Sequence, residues 1–133
     1  MAERRVLAIR GATTVESDDP ALIRAATREL LSAIARRNTL APGDVISAIF
    51  SCTTDLASEF PARAARELGW VDVPLLCTIE MPVVGAVERC IRVLLHVESA
   101  RARHQVEHVY MSGARGLRPD LPGDHGTAAA RDW

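Results

Sequence analysis

The sequence predicts an α+β fold in which four or five strands pack on one long helix. Three observations carry that reading. A single long segment, residues 20–38, repeats its apolar residues at helical spacing. Several shorter runs are rich in β-branched residues and bounded by turn formers, as strands are. At 133 residues the chain has room for one ordinary domain and not for two.

Residues 4–10 read as the first strand, with Val6, Leu7 and Ile9 bracketed by charge and Gly11 as the stop. Asp19 is suited to cap the helix and Pro20 to open it. Ile23, Ala26, Leu30 and Ile34 then form a buried stripe beside Leu22, Leu31 and Ala33, while Arg24, Arg28, Glu29 and Arg36 face water. A loop over 40–44 leads into a strand at 45–53. Residues 61–68 form a short helix opened by Phe60 and Pro61 and closed by Gly69. Residues 71–79 are extended. The clearest strand is 89–98: Ile91, Val93, Leu95 and Val97 share one face, and Cys90, Arg92, Leu94, His96 and Glu98 the other. A last short strand is expected at 106–111. From Pro119 onward the chain is small, polar and rich in Gly and Pro, so the domain is expected to span 1–121 and residues 122–133 to be a mobile tail. One helix cannot cover both faces of such a sheet, so the face bearing Arg92 must meet water or a partner.

Composition narrows the chemistry. Sixteen cations balance 17 anions, which lacks the basic excess of a nucleic-acid binder. All 16 cations are arginine, so Schiff-base chemistry, a pyridoxal-phosphate anchor and a P-loop lysine are excluded. Any bound anion must be held by guanidinium groups, backbone N–H or helix N-termini. Cys52, Cys77 and Cys90 are odd in number and lack metal or disulfide spacing. With no apolar run near the roughly 18 residues of a membrane span and none suited to a signal peptide, a cytoplasmic protein without membrane association is expected.

His104-Gln105-Val106-Glu107-His108 matches the H-x-x-E-H pattern, whose metal chemistry needs both histidines on one helical face. Val106, Val109 and Tyr110 favour a strand here, which would set the two histidines about 13 Å apart, so no metal is expected. The arginines are more informative. Arg10 ends an apolar run, Glu80 follows another, and Arg92 interrupts Cys90-Ile91-Arg92-Val93-Leu94. A charge in such a place must be paired or meet a ligand. Physical reasoning alone leaves structural ion pairs and an anion site equally open.

Six strings, in order, resemble the monofunctional, trimeric AroH-class chorismate mutases. They are Ile9-Arg10-Gly11-Ala12-Thr13-Thr14-Val15-Glu16; Asp55-Leu56 with Phe60-Pro61-Ala62-Arg63-Ala64-Ala65-Arg66-Glu67-Leu68; Cys77 with Glu80-Met81; Cys90-Ile91-Arg92-Val93; His108-Val109-Tyr110; and Leu117-Arg118-Pro119-Asp120-Leu121. The resemblance implies a mixed five-stranded sheet on one long helix, assembled as a homotrimer with a barrel-like core and active sites between subunits. It implies the Claisen rearrangement of chorismate to prephenate, on the way to phenylalanine and tyrosine, with no cofactor. Trimeric imine deaminases share a similar architecture, but none of their characteristic strings occurs here. A non-catalytic dicarboxylate binder would need no glutamate at Glu80 in addition to Arg92.

The same resemblance implies the site. Arg92 would donate to the ether oxygen and hold a carboxylate; Arg10, assisted by Tyr110, would clamp the side-chain carboxylate. Glu80 with Cys77 would meet the ring hydroxyl and favour positive charge building on the ring. Phe60, Ala62, Arg63 and Arg66 would line the mouth, with Leu75 and Leu76 also against the substrate. Leu117 and Arg118 would close over it. The chain departs from the family pattern in three places. Arg63 stands where lysine is common, Pro82 follows Met81 where aspartate is usual, and Leu76 replaces a small hydroxyl residue.

Overall fold

The structure is a computed structural model that describes residues 3–117. Arg118 and the expected tail lie outside those residues. Strands β1 (Arg5–Thr14), β2 (Val45–Cys52), β3 (Leu75–Ile79), β4 (Cys90–Ser99) and β5 (Val109–Tyr110) form one sheet, in the order β3-β2-β4-β1-β5. β4 runs antiparallel to both β1 and β2, whereas β2–β3 and β1–β5 are parallel. The mixed five-stranded sheet and the single long helix are therefore as expected.

Helix α1 (Pro20–Asn38) begins where local chemistry dictates. The Asp19 carboxylate accepts the N–H of Leu22 at 3.0 Å, and proline takes the first position. Ile23, Leu30, Leu31, Ala33 and Ile34 are buried as their spacing predicts, but Leu22 is 41% exposed. Thr27 and Asn38 take buried positions instead, because each has hydrogen bonds that answer its polar atoms. Thr27 Oγ1 donates to the Ile23 carbonyl at 2.7 Å. The Asn38 amide donates to the Glu107 carbonyl and accepts the Glu107 N–H, both at 2.8 Å, tying the helix end to the approach to β5. The water-facing arginines also hold the short helix α2 (Ala62–Glu67) region, through Arg24–Glu59 at 2.7 Å and Arg28–Glu67 at 3.1 Å.

The core lies between α1 and one face of the sheet. Leu7, Ile9, Ala48, Phe50, Val93, Leu95 and Val97 pack there against Leu30, Leu31 and Ile34. The opposite face is only partly covered. A 3-10 turn over Ser112–Leu117 closes one end of it, packing Ala114 and Leu117 on Ala12, Cys90 and Tyr110. The remainder leaves Val6 63% and Leu76 60% exposed.

Three boundaries differ from expectation by more than one residue. β5 is confined to Val109–Tyr110, because a 3-10 turn at Arg103–Gln105 and the Asn38 bonds to Glu107 direct the preceding residues elsewhere. β3 starts only at Leu75: Val71–Val73 are turn residues ahead of Pro74, which has no N–H for a ladder. Most informative is Gly11, which does not stop β1; the strand continues to Thr14. A β-carbon on Gly11 would lie 2.7 Å from Ile34 Cδ1, 3.2 Å from Leu30 Cδ1 and 3.2 Å from the Val109 carbonyl oxygen. The glycine is there because helix, β1 and β5 converge on one point. Gly11→Ala is accordingly expected to overpack this junction and lower stability by about 1–3 kcal/mol, read from the denaturant midpoint; an unchanged midpoint would show that Ile34 can move aside freely.

Candidate active site

Pairing register brings one row of residues across the open face. Tyr110 pairs with Ala12, Ala12 with Arg92, Arg92 with Ser51 and Ser51 with Thr78. Arg92 lies at the centre of this row and is only 8% exposed. Glu80, just beyond β3, answers its charge: Arg92 Nε and Glu80 Oε2 are 2.8 Å apart. The Glu80 backbone is fixed as well, its N–H donating to the Cys52 carbonyl at 2.8 Å. Ser51 Oγ donates to the same Oε2 at 3.4 Å. No motif singles out Ser51; its only signal in the sequence is a hydroxyl one residue after the core residue Phe50 and so on the opposite face.

Arg10 lies in the adjacent row, paired with Leu94 on the same face. Its N–H donates to Nδ1 of His108 at 3.0 Å, so this histidine serves as a side-chain extension of the β1–β5 pairing. Tyr110 and Leu117 are buried together at the covered end. The Ser112–Leu117 turn is latched to β1 by Gly113, whose N–H donates to Thr14 Oγ1 at 2.9 Å. A β-carbon on Gly113 would itself sit 2.9 Å from that oxygen, so only glycine admits the latch.

A second set of expected residues gathers elsewhere. Phe60 and Cys77 line a cleft of about 420 Å³, together with Cys52, Leu56, Thr78 and Ile79. Asp18 shapes one wall by accepting the N–H groups of Ala57 and Ser58 and the Ser58 hydroxyl. The Ser58 hydroxyl, with those backbone bonds, holds the Asp18 carboxyl below its ordinary value. Glu59 is likewise lowered, first by the Phe60 N–H and then by Arg24. A lowered carboxyl adds stability at neutral pH that is lost as pH falls below its ordinary value of about 4, so both anchors persist at neutral pH. They present Phe60, 68% exposed, at the start of α2, which carries Ala62 buried and Arg63 and Arg66 exposed.

Strand alternation separates the expected site into two halves. Cys77 pairs with Phe50 and, with Leu75, packs toward the helix-side core, whereas Leu76 faces the other way beside Ile49. Within one chain, Arg92, Glu80, Arg10, Tyr110 and Leu117 belong to one neighbourhood. Phe60, Ala62, Arg63, Arg66, Leu75 and Cys77 belong to another.

The thiols differ in setting. Burial pushes Cys52 up to about 12, with Cys77 and Cys90 nearby adding to the shift. Burial pushes Cys90 up to about 11, against the opposing pull of Arg92.

The chain is similar to known proteins over most of its length. The family described as chorismate mutase type I matches residues 6–121. Chorismate mutase AroH of Bacillus subtilis (strain 168) is 46% identical over 114 residues, covering 85% of this chain and 90% of that protein. Chorismate mutase AroH of Thermus thermophilus is 47% identical over 117 residues, covering 87% and 96%. A solved chorismate mutase from Clostridium thermocellum superposes with a TM-score of 0.80 at 45% identity, covering 81% of this chain and 96% of its own. Fold and relatives together define an isomerase of α+β architecture. The chain belongs to the chorismate mutase type I family.

At pH 8 the thiolate fraction of Cys52 and Cys90 should be about 10⁻³ or less. Alkylation of the native protein followed by mass spectrometry is therefore expected to spare both, with all three cysteines labelled after denaturation. Because their ionisation is suppressed only in the folded state, both thiols favour folding below the ordinary thiol value. That advantage fades as pH rises from about 9 toward 11–12.

Proposed function

We propose that this chain catalyses the intramolecular Claisen rearrangement of chorismate to prephenate, in phenylalanine and tyrosine biosynthesis, as a cytoplasmic homotrimer with active sites between subunits. The observation that carries the reading is the Arg92–Glu80 pair, held at 2.8 Å on a sheet face that the fold leaves partly open, in a chain of this family.

The chemistry asks for those residue types. The rearrangement is unimolecular; it moves no proton and needs no covalent intermediate, so neither a nucleophile nor a metal is required. The protein must hold a flexible dicarboxylate in a compact geometry and stabilise the charge that separates as the ether C–O bond breaks. Arg92 is the donor to the ether oxygen, where negative charge grows, and also grips a carboxylate. Arg10, with Tyr110, clamps the side-chain carboxylate. Glu80 accepts from the ring hydroxyl and favours the positive charge developing on the ring. A bidentate guanidinium suits the carboxylate clamps better than a point charge does.

The trimer supplies what one chain keeps apart. A neighbouring copy contributes Phe60, Ala62, Arg63, Arg66, Leu75 and Cys77 from its cleft and α2 edge, opposite the Arg92 neighbourhood, and Leu76 from the open face of its β3. Leu117, with Arg118, covers the ligand. Exposed Val6, Ile49 and Leu76 on the open face support burial against another copy. Three free thiols fit a reducing compartment.

The direct test is the loss of chorismate absorbance in the ultraviolet with purified protein, with and without EDTA, alongside light-scattering mass. Saturable conversion to prephenate, indifferent to EDTA, is expected from a trimer. A folded trimer without turnover would leave a dicarboxylate-binding protein. Arg92→Ala is expected to lose about 10²–10³ in kcat, and Arg92→Lys nearly as much, since an ammonium cannot reproduce the guanidinium fork. Near-normal kcat in Arg92→Lys would sink its assigned role. Arg63→Ala should raise KM more than it lowers kcat, because an exposed rim charge chiefly attracts the dianion.

A further inference from the structure

We propose that Ser51 is a positioning residue that sets the orientation of the Glu80 carboxylate, an inference that rests on the reading of Glu80 as a group that meets the substrate. The placement has two independent parts. Register makes Ser51 the cross-strand partner of both Arg92 on β4 and Thr78 on β3, so its hydroxyl is on the open face between the arginine and the strand that leads to Glu80. Its Oγ then donates to Glu80 Oε2 at 3.4 Å, the same oxygen that Arg92 Nε approaches at 2.8 Å.

Two groups on one oxygen leave the other with a different task. With Arg92 and Ser51 both on Oε2, Oε1 is the oxygen left to accept from a ligand hydroxyl. The adjacent residue fixes the other end of the same side chain, since the Cys52 carbonyl holds the Glu80 N–H at 2.8 Å. The last two residues of β2 therefore fix Glu80 at its backbone and at its carboxylate. A hydroxyl bond of 3.4 Å is long and on its own adds little affinity. Its use is geometric: it opposes rotation of the carboxylate toward a second contact with Arg92, which would withdraw Oε1 from the site.

Loss of the hydroxyl should therefore lower kcat with little change in KM, because the carboxylate matters most as charge develops on the ring. Ser51→Ala is expected to lower kcat about tenfold, the scale of one hydrogen bond to a charged group. Ser51→Thr should remain within about twofold, and Ser51→Val, which has the shape of threonine without its hydroxyl, should match Ser51→Ala. The deciding measurement is chorismate turnover by Ser51→Ala, Ser51→Thr, Ser51→Val, Glu80→Ala and the Ser51→Ala/Glu80→Ala double variant. If Ser51 acts through Glu80, its removal costs nothing further once Glu80 is alanine. Equal losses in both backgrounds, or equal activity of the Thr and Val variants, would overturn the positioning role and leave the reading of Glu80 intact. Full activity in Glu80→Ala would overturn both.

Discussion

A guanidinium in the middle of a β-sheet constrains everything around it. Arg92 is almost buried, between Ala12 on β1 and Ser51 on β2. An arginine there has left bulk water and demands an anion, at a cost of several kcal/mol if none is present. Glu80 meets that demand from outside the strands, its backbone tied to the end of β2. The pair is a poor device for stability alone, since apolar residues of similar volume would serve as well. Its distinctive feature is a concentrated positive field whose counter-charge is fixed by the fold on a partly open sheet face.

The rest of the fold makes that position tenable. Because α1 covers only one sheet face, the core can be wholly apolar there while the opposite face carries charge. The close approach of α1, β1 and β5 depends on Gly11, and that approach sets where Tyr110 sits relative to Arg92. The Ser112–Leu117 turn then shields one end of the charged row, latched through Thr14 and Gly113. Shielding matters because guanidinium interactions strengthen as water is excluded.

Legibility followed the range of the interaction responsible. The start of α1 was plain in Asp19 and Pro20, since a cap depends on atoms three residues apart. The two faces of β4 were plain in its alternating residues. Gly11 looked like a stop because its purpose, room for Ile34 and Leu30, is invisible along the chain. The start of β5 differs from the sequence pattern for the same kind of reason: Asn38, distant in sequence, claims the Glu107 backbone.

By itself the sequence determined the fold class, the helix and its cap, and the presence in a strand of an arginine that must find an anion. Its strings also carried the family, because a family resemblance lies in residue order. Only the tertiary structure decided which carboxylate answers Arg92, that Ser51 shares its oxygen, and that Cys77 and Phe60 lie away from the charged row. Those facts depend on strand register and on which face each side chain takes. Register is settled by packing among residues far apart along the chain, whereas caps and periodicities are settled within a turn or two.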